Sequence, residues 1–304
     1  MIEDVLKQFA EKFNKDLEKE MNALRGGALV SAMRYSVLGG GKRLRPFLVL
    51  VAAEMGGLTY EDVFPLMMGV ELVHTYSLVH DDLPCMDDDD LRRGRKSTHA
   101  VYGEAMGVLT GDALLNYAYE YMLANAVKAK NVGGYITAIS CIMVRAGYMG
   151  MLGGQSYDID EEVKKQFKRE DFINMYSGKT GALFQAALGA GAFAAGLDEN
   201  TIMALLKCGN YLGLAFQLKD DLDDLTQDKK GVDEKEKKPC LTMLSTISPE
   251  AAKEFVELNR DVAVDTVKDL KSSENLVALI EFLLTIKPQK AEDVPTEDGK
   301  ESKE

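Results

Sequence analysis

The chain of 304 residues has no tryptophan, seven prolines, three histidines and four cysteines, and each shortage narrows what it can be. Cys85, Cys141, Cys208 and Cys240 are widely spaced and form no CxxC pair, which excludes a disulfide scaffold and a zinc ribbon and fits a reducing compartment. Alternating apolar and polar residues, the mark of half-buried strands, are scarce. Basic residues number 36 against 49 acidic ones, and the formal charge of −13 argues against general affinity for nucleic acid or an anionic membrane surface. The amino-terminal segment is amphipathic and acidic, so it does not read as a signal peptide, and no apolar run reads as long enough to cross a bilayer. A soluble cytoplasmic protein without membrane insertion is the expectation.

What is present favours helix. The chain is 46% hydrophobic, with long runs of Ala, Leu, Met, Glu and Lys. Residues 2–24 carry Val5, Phe9, Phe13 and Leu17 at four-residue spacing, which predicts an amphipathic helix at the periphery. A short helical piece follows Gly26-Gly27 and ends at Gly39-Gly40-Gly41, expected to be a mobile turn, after which Lys42-Arg43-Leu44-Arg45-Pro46 opens an apolar segment through Ala53. Further helices are expected over 61–82, 104–128, 133–152, 169–195, 199–225, 249–271 and 274–286. Glycines inside helical patterns, at Gly181-Ala182 and Gly189-Ala190-Gly191-Ala192, predict close helix approach. The expected architecture is all-α, one domain over residues 1–287 with a disordered charged tail at 288–304.

Two aspartate clusters stand out: Asp81-Asp82-Leu83-Pro84-Cys85-Met86-Asp87, running on to Asp90, and Asp220-Asp221-Leu222-Asp223-Asp224. Each ends an apolar stretch. Carboxylates stacked at the mouth of an apolar cavity repel one another unless cations neutralise them, which points to magnesium and, through magnesium, to phosphates. In the second cluster Asp220, Asp221 and Asp224 share a helical face with Gln217 one turn earlier, while Asp223 points elsewhere. In the first, Pro84 disturbs the helix that Asp81 and Asp82 end, so a turn must return Asp87. Taken alone, Asp87 to Asp90 reads equally as a solvated face. A calcium loop is excluded, because Asp87 to Arg92 lacks the sixth-position glycine and the terminal glutamate.

Basic residues gather in three places: Lys42, Arg43 and Arg45 beside the glycine turn, Arg92, Arg93 and Arg95 after the first cluster, and Lys179 at the start of Lys179-Thr180-Gly181. Arginines grip diphosphate oxygens bidentately. Each patch alone reads as salt-bridged surface. Together with the acids they suggest two anionic groups.

Across nearly its whole folded length the sequence resembles the trans-type, head-to-tail isoprenyl diphosphate synthases of the farnesyl and geranylgeranyl diphosphate synthase group. The strings that carry the likeness are Gly-Gly-Lys-Arg-Leu-Arg-Pro at 40–46, His-Asp-Asp-Leu-Pro-Cys-Met-Asp-Asp-Asp-Asp-Leu-Arg-Arg-Gly at 80–94, Gly-Asp-Ala-Leu-Leu at 111–115, Gly-Gly-Gln at 153–155, Lys-Thr-Gly-Ala-Leu at 179–183 and Phe-Gln-Leu-Lys-Asp-Asp at 216–221, in the family's order. The resemblance implies an orthogonal helical barrel around a central cavity, usually a homodimer, in which three magnesium ions hold an allylic diphosphate. By that likeness Asp81, Asp82, Asp87 and Asp220, supported by Asp221 and Asp224, hold the metals. Arg92, Lys179, Thr180, Gln217 and Lys238 take the allylic diphosphate, and Lys42, Arg45, His74 and Arg93 take isopentenyl diphosphate. His74, a lone histidine on an apolar helix, reads from the residues alone as a core residue; the resemblance makes it a ligand.

The implied reaction is ionisation of the allylic carbon–oxygen bond in a dry cavity, attack by isopentenyl diphosphate on the carbocation, and loss of a proton to the departing diphosphate. Thr180 and Gln217 steady the cation through their dipoles. Product length should follow cavity depth, and residues about 6–8 Å deeper than Asp81, at the helical rise per residue, are Ser77 and Tyr76. The aromatic Tyr76, with Pro84 and Cys85 inside the motif, resembles the bacterial farnesyl type, whereas a small residue there goes with geranylgeranyl products. Tyr76 also reads as an ordinary core aromatic. One departure is local: the stretch from Asp224 to Lys229-Lys230-Gly231-Val232-Asp233 is shorter than the family's and lacks its Gly-Lys dipeptide, although Lys229 keeps its spacing to Lys238. A terpene cyclase would not need Lys42, Arg45 and His74, and a non-catalytic regulatory subunit would not need two complete acid clusters.

Overall fold

The computed structural model describes residues 1–228 and 241–286. The elements, in order, are α1 (Ile2–Ala23), α2 (Ala28–Val37), α3 (Leu44–Met55), α4 (Tyr60–Asp81), β1 (Leu91–Arg92), β2 (Arg95–Lys96), α5 (Thr98–Tyr102), α6 (Glu104–Ala126), α7 (Val132–Ala146), α8 (Met151–Asp158), α9 (Glu161–Lys164) and α10 (Arg169–Tyr176). A π-helical turn (Ser177–Gly181) joins α10 to α11 (Ala182–Ala195), and α12 (Glu199–Asp228), a short 3₁₀ turn (Met243–Ser245), α13 (Pro249–Val267) and α14 (Glu274–Leu284) follow. The all-α expectation holds. The only strands among the described residues form a two-residue antiparallel hairpin, with Leu91 opposite Lys96 and Arg92 opposite Arg95.

Local chemistry sets the helix ends. Thr59 and Asp62 cap α4 reciprocally, the Asp62 carboxylate accepting from the Thr59 amide at 2.8 Å. Asn131 caps α7 by accepting from the Gly134 amide at 2.9 Å, and Ser248 followed by Pro249 opens α13. Apolar helices α4, α3 and α11 form the middle: α11 packs on α3, α7 and α12, and α4 on α3 and α6. Gly191 permits the closest of these approaches, since a Cβ there would lie 2.2 Å from the Val49 carbonyl oxygen.

Four expectations need correction. Helix α1 lies at the edge as expected, burying Phe9, Phe13, Leu17 and Met21 along one face, but the first inward residue is Leu6, and Val5 is exposed. Truncating Phe13 to alanine would cost about 3–5 kcal/mol. The glycine turn is pinned, because the Gly40 carbonyl accepts a hydrogen bond from Arg93. By length and composition the stretch Val132–Asp158 does pass for a membrane span, yet it is broken between α7 and α8. A Cβ at Gly150 would lie 1.9 Å from the Arg145 carbonyl oxygen, so the chain turns sharply there. That break also divides the helix expected over 133–152. The tail at 288–304, together with Lys229, Lys230, Gly231, Val232, Asp233 and Lys238, lies outside the described residues.

Candidate active site

The carboxyl end of α4 delivers the first acid cluster, and the turn beyond it folds back. The Asp87 amide donates to the Asp81 carbonyl at 2.9 Å and the Asp89 amide to the Asp82 carbonyl at 3.2 Å, which brings Asp87 beside Asp81 as the proline required. Asp82 is buried and accepts from Arg92 Nε at 2.8 Å and from its Nη2. Against the effect of burial, this contact holds the Arg92 guanidinium above its ordinary range. Desolvation raises Asp81 to about 6, with Asp87 adding to the rise and Lys179 opposing it. Asp87 is raised too, by desolvation first and then by Asp158; as an exposed residue it feels a screened effect.

On α12 the second cluster is arranged differently. Gln217 Nε2 donates to Asp221 at 3.1 Å, and Gln217 Oε1 accepts from Thr180 at 2.7 Å. Tyr176 donates its hydroxyl proton to the other Asp221 oxygen and itself accepts from the Met243 amide at 2.9 Å. Asp223 pairs with Lys219 at 2.8 Å, away from this network. Asp220 is raised to about 6 by desolvation and then by Asp224, with Lys42 opposing.

Lys179 and Thr180 come from the π turn, which α8 approaches closely because position 154 is glycine: a Cβ there would lie 2.1 Å from the Lys179 amide nitrogen. Lys179 donates to Asp158, which also accepts from the buried Lys164 at 3.1 Å. Asp158 acts electrostatically on both Asp87 and Asp221, so the two clusters share one neighbourhood. Sequence reasoning missed Asp158 and Tyr176. The nearest signal for Asp158 is its place one turn after Gly153-Gly154-Gln155; Tyr176 gives none, because its partners lie far along the chain.

The second basic group also assembles. Arg45 Nη1 lies 3.3 Å from His74 Nε2, and its guanidinium sits 4.9 Å from the centre of the Phe184 ring. Burial, and then Arg45, push the His74 imidazole well below its ordinary value, so it is neutral. Arg93 reaches the same region through Gly40, while Lys42 is exposed near Asp220. Tyr76, 2% exposed, packs edge-on to His80 with ring centres 5.9 Å apart, and its hydroxyl finds no partner among the described residues. Ser77 hydrogen-bonds back to the His74 carbonyl at 2.9 Å. A separate cavity of about 590 Å³, lined by Thr137, Cys141, Arg145, Asn174 and Gln185 among others, contains none of the predicted site residues.

Magnesium suits this donor set. Among the described residues no three acids converge on one point, but magnesium is held by one or two carboxylates plus substrate phosphates and keeps several waters. Raised carboxyls on both walls are the oxygen donors such an ion would neutralise.

Helices stacked around paired acid walls define an isoprenoid synthase fold. The structure matches an FPP/GFPP synthase from Zymomonas mobilis at a TM-score of 0.82 and 30% identity, covering 94% of this chain and 100% of that one. A geranyltransferase from Legionella pneumophila matches at a TM-score of 0.82 and 29% identity, over 93% and 96% of the two chains. Residues 27–277 match the polyprenyl synthetase family model, and the chain belongs to that family. It is 34% identical to a dimethylallyltranstransferase of Fischerella ambigua, over 93% of this chain and 83% of that protein. It is also 39% identical to a farnesyl diphosphate synthase of Bacillus subtilis, over 65% and 67%. Geranylgeranyl diphosphate synthases are equally near, with 40% identity to that of Cyanophora paradoxa over 67% and 68%. Short-chain prenyl transfer is the activity these relatives share, and it is the class of reaction to which the chain is assigned.

Proposed function

We propose that the chain condenses isopentenyl diphosphate head-to-tail with dimethylallyl and then geranyl diphosphate, giving farnesyl diphosphate. The observation that supports the proposal is the presence of two basic groups with different partners. Arg92 and Lys179 stand against the first acid cluster, whereas Arg45 pairs with His74 and Arg93 with the Gly40 carbonyl. The first suits a diphosphate that arrives with metal and leaves with it. The second suits a diphosphate that is held and stays attached. A cyclase would need only the first.

Magnesium, three ions in this proposal, makes the allylic diphosphate a better leaving group when bound. Asp81, Asp82, Asp87, Asp220, Asp221 and Asp224 are the residues that would hold it. Arg92 and Lys179 take charge developing on the leaving oxygen, and Lys238 is proposed to join them. The Thr180 hydroxyl and Gln217 amide, joined at 2.7 Å, orient fixed dipoles toward the allylic carbons. Lys42, Arg45, His74 and Arg93 orient isopentenyl diphosphate, and the neutral His74 adds hydrogen bonding without adding charge. Tyr76, with Ser77 beside it, closes the hydrocarbon end.

Purified protein with magnesium, isopentenyl diphosphate and each allylic primer tests the proposal by chromatography of the products. Farnesyl diphosphate is expected, and absence of condensation with every primer overturns the reading. A geranylgeranyl product would leave the chemistry and refute the floor. With Tyr76→Ala, products of the wild-type length decline and longer ones appear; an unchanged product removes Tyr76 from length control. A homodimer is proposed as well, supported by the apolar residues exposed along α6 and α7 and beyond, among them Leu109, Leu123, Val144, Tyr148 and Met149. Light scattering at the monomer mass would refute it.

A further inference from the structure

Beneath the second basic group lies a carboxylate that the proposed reaction does not use. Glu71, 3% exposed on α4, is one turn before His74 and Thr75, and it accepts a hydrogen bond from Arg43 Nη1. Arg43, also 3% exposed, spends its remaining nitrogens on the protein: Nε donates to Asn14 at 2.8 Å and Nη2 to the Val37 carbonyl at 3.0 Å. Its contacts therefore tie α1, the end of α2 and α4 together. Arg43 holds a left-handed backbone with φ of 53°, rare outside glycine, and these three contacts fix it there. Arg45 follows two residues later and is delivered to His74.

The charges explain why an acid belongs at this depth. Arg45 faces Glu71 and His74 from α4, Arg93 from the hairpin, Asp220 from α12 and the Phe184 ring from α11. Its Nε is buried without a partner. Desolvation lowers the Arg45 guanidinium to about 10, and Glu71 is the largest influence opposing that fall. Glu71 is likewise the chief influence opposing desolvation at Arg93. Guanidinium groups gathered in a partly dehydrated pocket repel one another, and a fixed anion below them offsets that repulsion before any substrate arrives.

We propose that Glu71, anchored by Arg43, is a positioning residue for isopentenyl diphosphate, supplying the buried countercharge that keeps Arg45 and Arg93 together beside His74. This rests on the assignment of that basic group to isopentenyl diphosphate. Glu71 acts through the arginines and does not touch substrate, so its influence is confined to one of the two substrates.

The test is Glu71→Gln, which removes the charge and keeps the shape, with initial rates measured while isopentenyl and dimethylallyl diphosphate are varied separately. Losing one partner of a buried charge pair should raise KM for isopentenyl diphosphate about tenfold or more, with KM for dimethylallyl diphosphate changed by less than about twofold. Arg43→Gln combined with Glu71→Gln leaves no unpaired buried charge, so it keeps the test open if the single variant folds poorly. The double variant should show the same one-sided change in KM. Equal changes for both substrates in a folded variant overturn the proposal. Arg45→Ala separates the two levels of inference. If it leaves KM for isopentenyl diphosphate unchanged, the substrate assignment falls and Glu71's role with it; if it raises KM while Glu71→Gln does not, only Glu71's role falls.

Discussion

At the end of α4, Asp82 is gripped by Arg92, and Lys179 stands close enough to Asp81 and Asp87 to oppose the rise in both. On α12, Asp221 is held instead by a tyrosine hydroxyl and an amide. Asp82 is steadied by a cation and Asp221 by neutral dipoles. The difference separates two tasks: cations beside the first cluster add to the pull on a departing diphosphate, whereas dipoles beside the second fix geometry without adding charge. Asp158 is the link, touching Lys179 directly and sensed from both walls.

Asp81→Asn should have the largest effect, because Asp81, unlike Asp82, accepts no hydrogen bond from a cation among the described residues and keeps its oxygens for an incoming one. Loss of such an electrostatic group lowers kcat by about 10²–10³-fold, read from product formation at saturating substrates. Asp82→Asn should cost less, since its Oδ1 is already committed to Arg92. Equal losses would erase the distinction within the first wall.

Next comes Tyr176→Phe. Removing one hydrogen bond to a carboxylate should lower kcat/KM for the allylic substrate about tenfold, with KM for isopentenyl diphosphate unmoved. A change in both substrates would mean that the dipole network holds the whole cavity and not one side of it.

The smallest effect is a dependence of metal-free stability on pH. Asp81 and Asp220 are both raised to about 6, so the folded state binds protons more tightly than the unfolded chain. Their contribution is complete below the unfolded carboxyl value and is lost as pH rises through about 6. The Tm of metal-free protein should therefore rise by a few degrees between pH 7 and pH 5, and Asp81→Asn should remove part of that rise. Asp158, held low against burial by Lys179 and Lys164, works in the opposite sense but only at more acid pH. Asp220 is exposed, so Asp81 should carry more of the effect.

Much of this was legible in the residues. Pro84 forced the turn that returns Asp87, and three- and four-residue spacing placed Gln217 against Asp221, because both depend on local geometry. Apolar periodicity located the long helices but carried the expected 133–152 helix through the break at Gly147–Gly150, where backbone crowding at Gly150 decides and hydrophobicity is silent. The Arg92 hairpin is too short to show a two-residue period. Tyr176 and Glu71 were invisible for another reason: each matters through a partner on a different helix, and one sequence does not reveal such pairs.

The π turn at Ser177–Gly181 carries a consequence for how this chain tolerates change. It works as a one-residue bulge between α10 and α11, aiming Lys179 and Thr180 without disturbing the helices on either side. Deleting a single residue there would restore an uninterrupted α-helical ladder with both flanks close to their present phase, removing only the local bulge that displays Lys179 and Thr180. The helix content would survive, while the lysine and the threonine lost their aim. At this point in the chain, length is a stricter constraint than composition.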